Sequence, residues 1–317
     1  MSTDFKGYLL EEFLEDYQQG VLSRRQAIKL IAGVVGSVAV ADTLLAACAP
    51  APALVTATTW PGATSTVTIA TSASQAADGS TVAAPAAEGE IEADWVTLSA
   101  TDAELSAYLA RPVGDGPYQA ILVCHENRGL TEHIQDVARR LAAAGYVGLA
   151  VDLLTREGGS AALDPADVPG ILANSPSEQF VQDFIDGWIW LRSQPFVKPE
   201  AAGMVGFCFG GGVTWRVAIG LPDVRAAVPF YGPHPAPADL ATIEAAVLAI
   251  YAESDQRINQ TIPQIEAAMQ DYGKVYEYIV YPGTDHAFHN DTGSRYVPQA
   301  AQDAWARTLA WFATHLA

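Results

Sequence analysis

The segment Gly206-Phe207-Cys208-Phe209-Gly210 sets a thiol where an apolar run gives way to a string of glycines. Downstream, Asp255 closes the run "AVLAIYAESD" and His286 lies within "YPGTDHAFHN". A thiol, a carboxylate and an imidazole in that chain order can perform nucleophilic acyl transfer. The imidazole accepts the thiol proton, and the acid orients the imidazole. Gly-x-Cys-x-Gly is the nucleophile-elbow pattern with Cys in place of Ser, and no Gly-x-Ser-x-Gly occurs in the chain. A sharp strand-to-helix turn brings its flanking residues against neighbouring elements, which small residues tolerate. The helix that follows directs free N–H groups at the sulfur and favours thiolate. Cys124, mid-run in "AILVCHE", reads as a buried core residue. His289 is the nearest rival to His286, His234 is a weaker one, and Asp285 stands as an alternative acid.

These residues need a scaffold that gathers them at one edge. "QAILVCHE", "YVGLAVDLL", "AGMVGF", "RAAVPFYG", "AVLAIYAESD" and "VYEYIVYPG" are apolar runs of strand length. Between most of them lie segments with helical periodicity, such as "TEHIQDVARRLAAAG" and "SEQFVQDFIDGWIWLRS". "DWVTLSA" and "ELSAYLARP" form an antiparallel start. The alternation predicts an α/β fold, a mostly parallel central sheet with helices on both faces. In such sheets chemistry gathers at the carboxyl ends of strands, where Cys208, Asp255 and His286 fall.

The chain of 317 residues has a formal charge of −19, which argues against nucleic-acid binding and against electrostatic adhesion to anionic lipid. Its three cysteines are too few for a disulfide framework, and no Cys/His spacing suggests a metal. Residues 1–47 read as an export signal, with Arg24 and Arg25 ahead of an apolar stretch from Leu30 to Ala47 that Asp42 interrupts. Ser23-Arg24-Arg25 with Lys29 resembles a twin-arginine signal, although Ala27 stands where a bulky apolar residue is usual. Leu45-Ala46-Ala47-Cys48 resembles a bacterial lipobox, with cleavage before Cys48 and lipid on its sulfur, which would anchor the protein to a membrane. An uncleaved anchor or a plain secretory signal are the alternatives. The preceding "FKGYLLEEFLEDYQQGVL" has apolar residues at helical spacing and reads as a long amphipathic start to the signal. Residues 48–93, rich in Ala, Thr, Ser and Pro, read as a flexible tether, and residues 94–317 as one catalytic domain.

With Cys208, Asp255 and His286 in place, residues 95–317 resemble the dienelactone hydrolase family of α/β-hydrolases. "GFCFGG", "GTDHAF" and "CHENRGLTEHIQDVARRLAAAGYVGLAVDLL" carry the resemblance. It implies that Glu126 contacts the resting thiol and takes part in its activation. It also implies that the backbone N–H groups of Asn127 and Phe209 form an oxyanion hole, and that Arg156 holds a substrate carboxylate. Asn290 departs from the family, whose enzymes acting on dienelactone carry an arginine there; Arg295 lies further along the same loop. The sequence thus points to an exported, lipid-anchored hydrolase of lactones or small esters that uses neither metal nor organic cofactor. A thioesterase or acyltransferase with the same triad, a non-catalytic surface-binding lipoprotein and a redox thiol protein are the alternatives. The oligomeric state is left open.

Overall fold

The chain opens with segments whose apolar residues recur at helical spacing, and a computed structural model, which describes residues 4–47 and 90–317, folds them as three helices. Helix α1 (Phe5–Gln18) starts at Asp4, whose side chain accepts from the Lys6 N–H. Helix α2 (Arg24–Val35) starts in a reciprocal cap between Ser23 and Gln26. Gly36, in the left-handed conformation, stops it before α3 (Val38–Ala47), so the apolar stretch from Leu30 to Ala47 is split in two. No helix among the described residues is long and apolar enough to cross a membrane. Cys48 and most of the expected tether lie outside the described residues.

The catalytic scaffold follows as β1 (Ile91–Ser99), β2 (Glu104–Pro112), β3 (Tyr118–Cys124), α4 (Glu132–Ala143) and β4 (Val147–Val151). Helices α5 (Val168–Asn174) and α6 (Ser177–Arg192) lead to β5 (Val197–Phe207), α7 (Phe209–Gly220) and β6 (Val224–Phe230). The chain closes with β7 (Ala246–Ala252), α8 (Gln256–Asn259), α9 (Ile262–Asp271), β8 (Tyr276–Tyr281) and α10 (Pro298–His315). The eight strands form one sheet in the order β1-β2-β4-β3-β5-β6-β7-β8. The pairs β1–β2 and β2–β4 are antiparallel, and the remaining pairs are parallel. Strands β4 and β7 are buried at every position, which is why they read as unbroken apolar runs. Strand β1 begins at Ile91, three residues ahead of the expected domain start.

The first helices pack against this scaffold. Phe5, Tyr8, Leu9 and Phe13 form one buried face of α1, and Ala27, Ile31 and Val34 one buried face of α2. Gly33 of α2 and Gly170 of α5 meet backbone to backbone, closer than a Cβ on Gly170 would permit. Phe5 packs on Phe209 with ring centroids 4.5 Å apart and on Phe180 at 5.9 Å. The first helix therefore rests on the residue that follows Cys208.

Candidate active site

Strand β5 ends at Phe207 and α7 starts at Phe209, so Cys208 alone makes the turn. Its φ of 57° and ψ of −123° lie where an L-residue is strained, and only surrounding structure that over-determines the turn can hold it there. That structure is close packing of backbone. The Cys208 N–H donates to the Phe230 carbonyl at 3.0 Å, and the Cys208 carbonyl accepts from Gly211 at 2.9 Å. A Cβ at Gly206 would run into the Gly210 carbonyl and the Thr214 hydroxyl, and one at Gly210 into the His125 and Cys124 carbonyls. The two glycines are thus fixed by close approach. Phe209, first in its helix, has no carbonyl one turn back for its N–H.

Asp255 leaves the end of β7 and His286 the loop after β8. The His286 Nδ1 and an Asp255 oxygen are 2.6 Å apart, with both side chains buried. That bond leaves Nε2 as the other ring nitrogen; it is buried and has no hydrogen-bond partner. A ring nitrogen of His286, the Cys208 sulfur and a Glu12 oxygen lie within 4.8 Å of one another. Three metal ligands could share that spacing. The rivals are engaged elsewhere or away from the sulfur. His234 Nε2 lies 2.7 Å from the Tyr251 hydroxyl, and its other nitrogen meets Thr261. His289 is packed among Phe207, Phe230, His133 and Trp305. Cys124 is buried in β3. Asp285 lines the pocket, yet the hydrogen-bonded acid of His286 is Asp255.

Sequence reasoning missed Glu12. Its carboxylate reaches over from α1, accepts from Asn127 Nδ2 at 2.8 Å and lies 3.6–3.7 Å from the Cys208 sulfur. The Tyr8 hydroxyl, one turn earlier, is 3.4 Å from the same sulfur. The amphipathic spacing of α1 announced a face in need of a partner, but nothing in it named this one. Cys208, expected on display, is in consequence only 3% exposed.

Two of the expected residues make other contacts. Glu126, expected on the resting thiol, accepts instead from Asn290 Nδ2 at 2.7 Å, and Glu12 holds the place beside the sulfur. Asn290 thus supplies a neutral donor to the Glu126 carboxylate. Arg156, expected on a substrate carboxylate, lies in the turn after β4. It makes a two-pronged bond to the buried Asp183 at 2.8 and 2.9 Å and a further one to Asp102 at 2.6 Å. With its fork spent on two aspartates, it lines no part of the pocket at Asp255 and His286. Arg257 and Arg295 line that pocket instead.

The electrostatics follow from this packing. Burial would depress the His286 imidazolium, but the Asp255 and Cys208 charges outweigh it and hold its pKa well above the ordinary value. Burial pushes Asp255 up, while His286 and Arg257 pull it down further, leaving it below the ordinary carboxylate range. Burial and the Glu12 charge push the Cys208 thiol up against the pull of His286. The depression expected from the α7 terminus does not prevail, because α1 both buries the sulfur and sets a carboxylate against it.

The family model for the dienelactone hydrolase family matches residues 105–316. A Methylorubrum extorquens protein provisionally named carboxymethylenebutenolidase is 35% identical over 68% of this chain and 79% of its own length. An Escherichia coli protein of the same provisional name is 34% identical over 70% of this chain and 87% of that one. A Klebsiella pneumoniae crystal structure provisionally named dienelactone hydrolase superposes with a TM-score of 0.67 at 31% identity, covering 72% of this chain and all of the other. More than a quarter of this chain therefore has no counterpart in it.

Proposed function

We propose that this chain, which belongs to the dienelactone hydrolase family and is a carboxylic ester hydrolase, cleaves lactones or small esters through a thiol acyl-enzyme on Cys208. The observation that carries the reading is the strained turn at Cys208 with the Asp255-paired His286 ring beside its sulfur. His286 takes the thiol proton through Nε2, and the sulfur attacks the substrate carbonyl. The charge that develops on the carbonyl oxygen is met by the N–H groups of Phe209 and Asn127, each donor worth about 2.7–4 kcal/mol to such a step. The imidazolium returns its proton to the departing oxygen; in a lactone that oxygen stays tethered as an alcohol. His286 then draws a proton from water, which attacks the thioester and frees Cys208. Asp255 keeps the ring in the required tautomer and balances its positive charge.

Hydrolysis of a panel of p-nitrophenyl esters and lactones by the chain carrying Glu15→Lys/Asp16→Lys, which loosens α1 from the pocket, beside the same chain with Cys208→Ala, tests this. Loss of turnover in the variant is expected; turnover that survives it removes the thiol mechanism. Export is a separate part of the proposal: a twin-arginine signal, cleavage before Cys48 and a lipid on its sulfur would set the enzyme on the outer side of the cytoplasmic membrane. The mass of the mature N-terminus tests it, and a chain that retains residues ahead of Cys48 would refute it.

A further inference from the structure

Four acidic or aromatic side chains of α1 aim at the catalytic pocket. Glu12 sits between the Cys208 sulfur and the side-chain amide of Asn127. The Tyr8 hydroxyl touches the same sulfur, and its ring lies 4.5 Å from the Arg257 guanidinium. Glu15 pairs with Arg257 at 3.4 Å, and Asp16 pairs with Arg295. The cavity that remains beside Asp255 and His286 is about 10 Å³, barely the room one water needs. Glu12 and Tyr8 cover the sulfur of Cys208, a residue that is 3% exposed.

We propose that α1 is a built-in occupant of the active site, which keeps the hydrolase latent until the helix is undocked or cut away. The inference rests on the thiol chemistry proposed above. A carboxylate beside both the nucleophile and Asn127 takes the space of a substrate ester group, and two guanidinium groups at the pocket hold the helix by its acids. Helix α1 lies outside residues 105–316, which the family model matches, and the Klebsiella structure covers only 72% of this chain. The cut proposed before Cys48 would release α1 along with the rest of residues 1–47, so that processing and activation would be one event.

The test uses the full chain with either Glu15→Lys/Asp16→Lys, which sets lysines against Arg257 and Arg295, or Phe5→Asp, which puts a charge where α1 packs on Phe209 and Phe180. Iodoacetamide alkylation of Cys208, mapped by peptide mass, reports access to the sulfur without any substrate, while amide exchange in α1 reports undocking. Alkylation at least ten-fold faster than in the unmodified chain, together with a rise in ester turnover, is expected from the undocked variants. If alkylation accelerates and turnover stays absent, the occlusion stands and the ester chemistry fails. Two results overturn the occlusion. One is Cys208 of the unmodified chain reacting as fast as a free thiol at the same pH. The other is a variant whose α1 amides exchange freely while Cys208 still reacts at the unmodified rate.

Discussion

Replacing Asp255 by Asn changes one oxygen for an NH₂ group and leaves the shape of the site intact. The aspartate is buried, and His286 Nδ1 is its hydrogen-bonded side-chain partner at 2.6 Å. Its second oxygen has no hydrogen bond, with Arg257 3.9 Å away. The charge on Asp255 therefore acts chiefly on the imidazole. A hydrogen bond to a charged group is worth roughly 1.5–3 kcal/mol, or about 10- to 150-fold in rate. An Asn that turns its NH₂ toward Nδ1 also forces the ring proton onto Nε2, facing the thiol, where it blocks proton acceptance. Adding that fault brings the expected loss in kcat/KM to roughly 10²–10⁴-fold, the upper end being what the same change does in serine triads. Because burial alone drives the His286 pKa down, NMR titration should show it falling in the variant. The assay is p-nitrophenyl acetate hydrolysis against pH in the Glu15→Lys/Asp16→Lys background, with circular dichroism as the check on folding. A loss under five-fold, or a His286 pKa that stays raised, would refute the orienting role.

His289 is buried with both ring nitrogens unpartnered, and burial pushes its pKa to about 3. A depressed folded value means that its stabilisation is complete above the unfolded value of about 6.5 and is lost as pH falls toward the folded one. Urea unfolding from pH 7.5 to 4 should therefore show falling stability, and His289→Phe should flatten the fall by up to about 1.4 kcal/mol per pH unit. Parallel declines in the two proteins would contradict this. Arg156→Ala strips the buried Asp183 of its two-pronged partner, at up to roughly 3–5 kcal/mol, lessened by the part of Arg156 that water reaches. The melting temperature should drop while the ratio of kcat/KM for carboxylate-bearing and neutral esters stays within two-fold. A selective loss for the anionic esters would return Arg156 to the substrate. Gly206→Ala should abolish soluble folded protein, because its Cβ would meet the Gly210 carbonyl and the Thr214 side chain; a normally folded variant would refute the close-packing account of the elbow.

The scaffold was legible because buried parallel strands write themselves as apolar runs and amphipathic helices as a 3.6-residue period. The approach of Cys208, His286 and Asp255 was legible because each follows the carboxyl end of a strand at the same sheet edge, which topology alone brings together. Contacts that depend on side-chain choice among several partners were not. Nothing near Arg156 in sequence says that Asp183, buried in α6, takes its guanidinium. Likewise, Glu126 has Asn290 within reach only because the segments that follow β3 and β8 meet in the fold. Helix α1 was legible only as an amphipathic segment: an apolar face with acids beside it does not name the surface it covers, and the packing of Phe5, Tyr8 and Glu12 against Phe209 and Cys208 emerges only in the fold.

What decides the mechanism is whether Cys208 carries the acyl group. Acid-quenched reaction of the full chain with a p-nitrophenyl ester, unmodified and with α1 displaced, followed by peptide mass analysis, reads it directly. With α1 displaced, the peptide that holds Cys208 gains the mass of one acyl group, and both the adduct and the turnover are gone in Cys208→Ala. An acyl group on another residue, or hydrolysis that persists in Cys208→Ala, would contradict it.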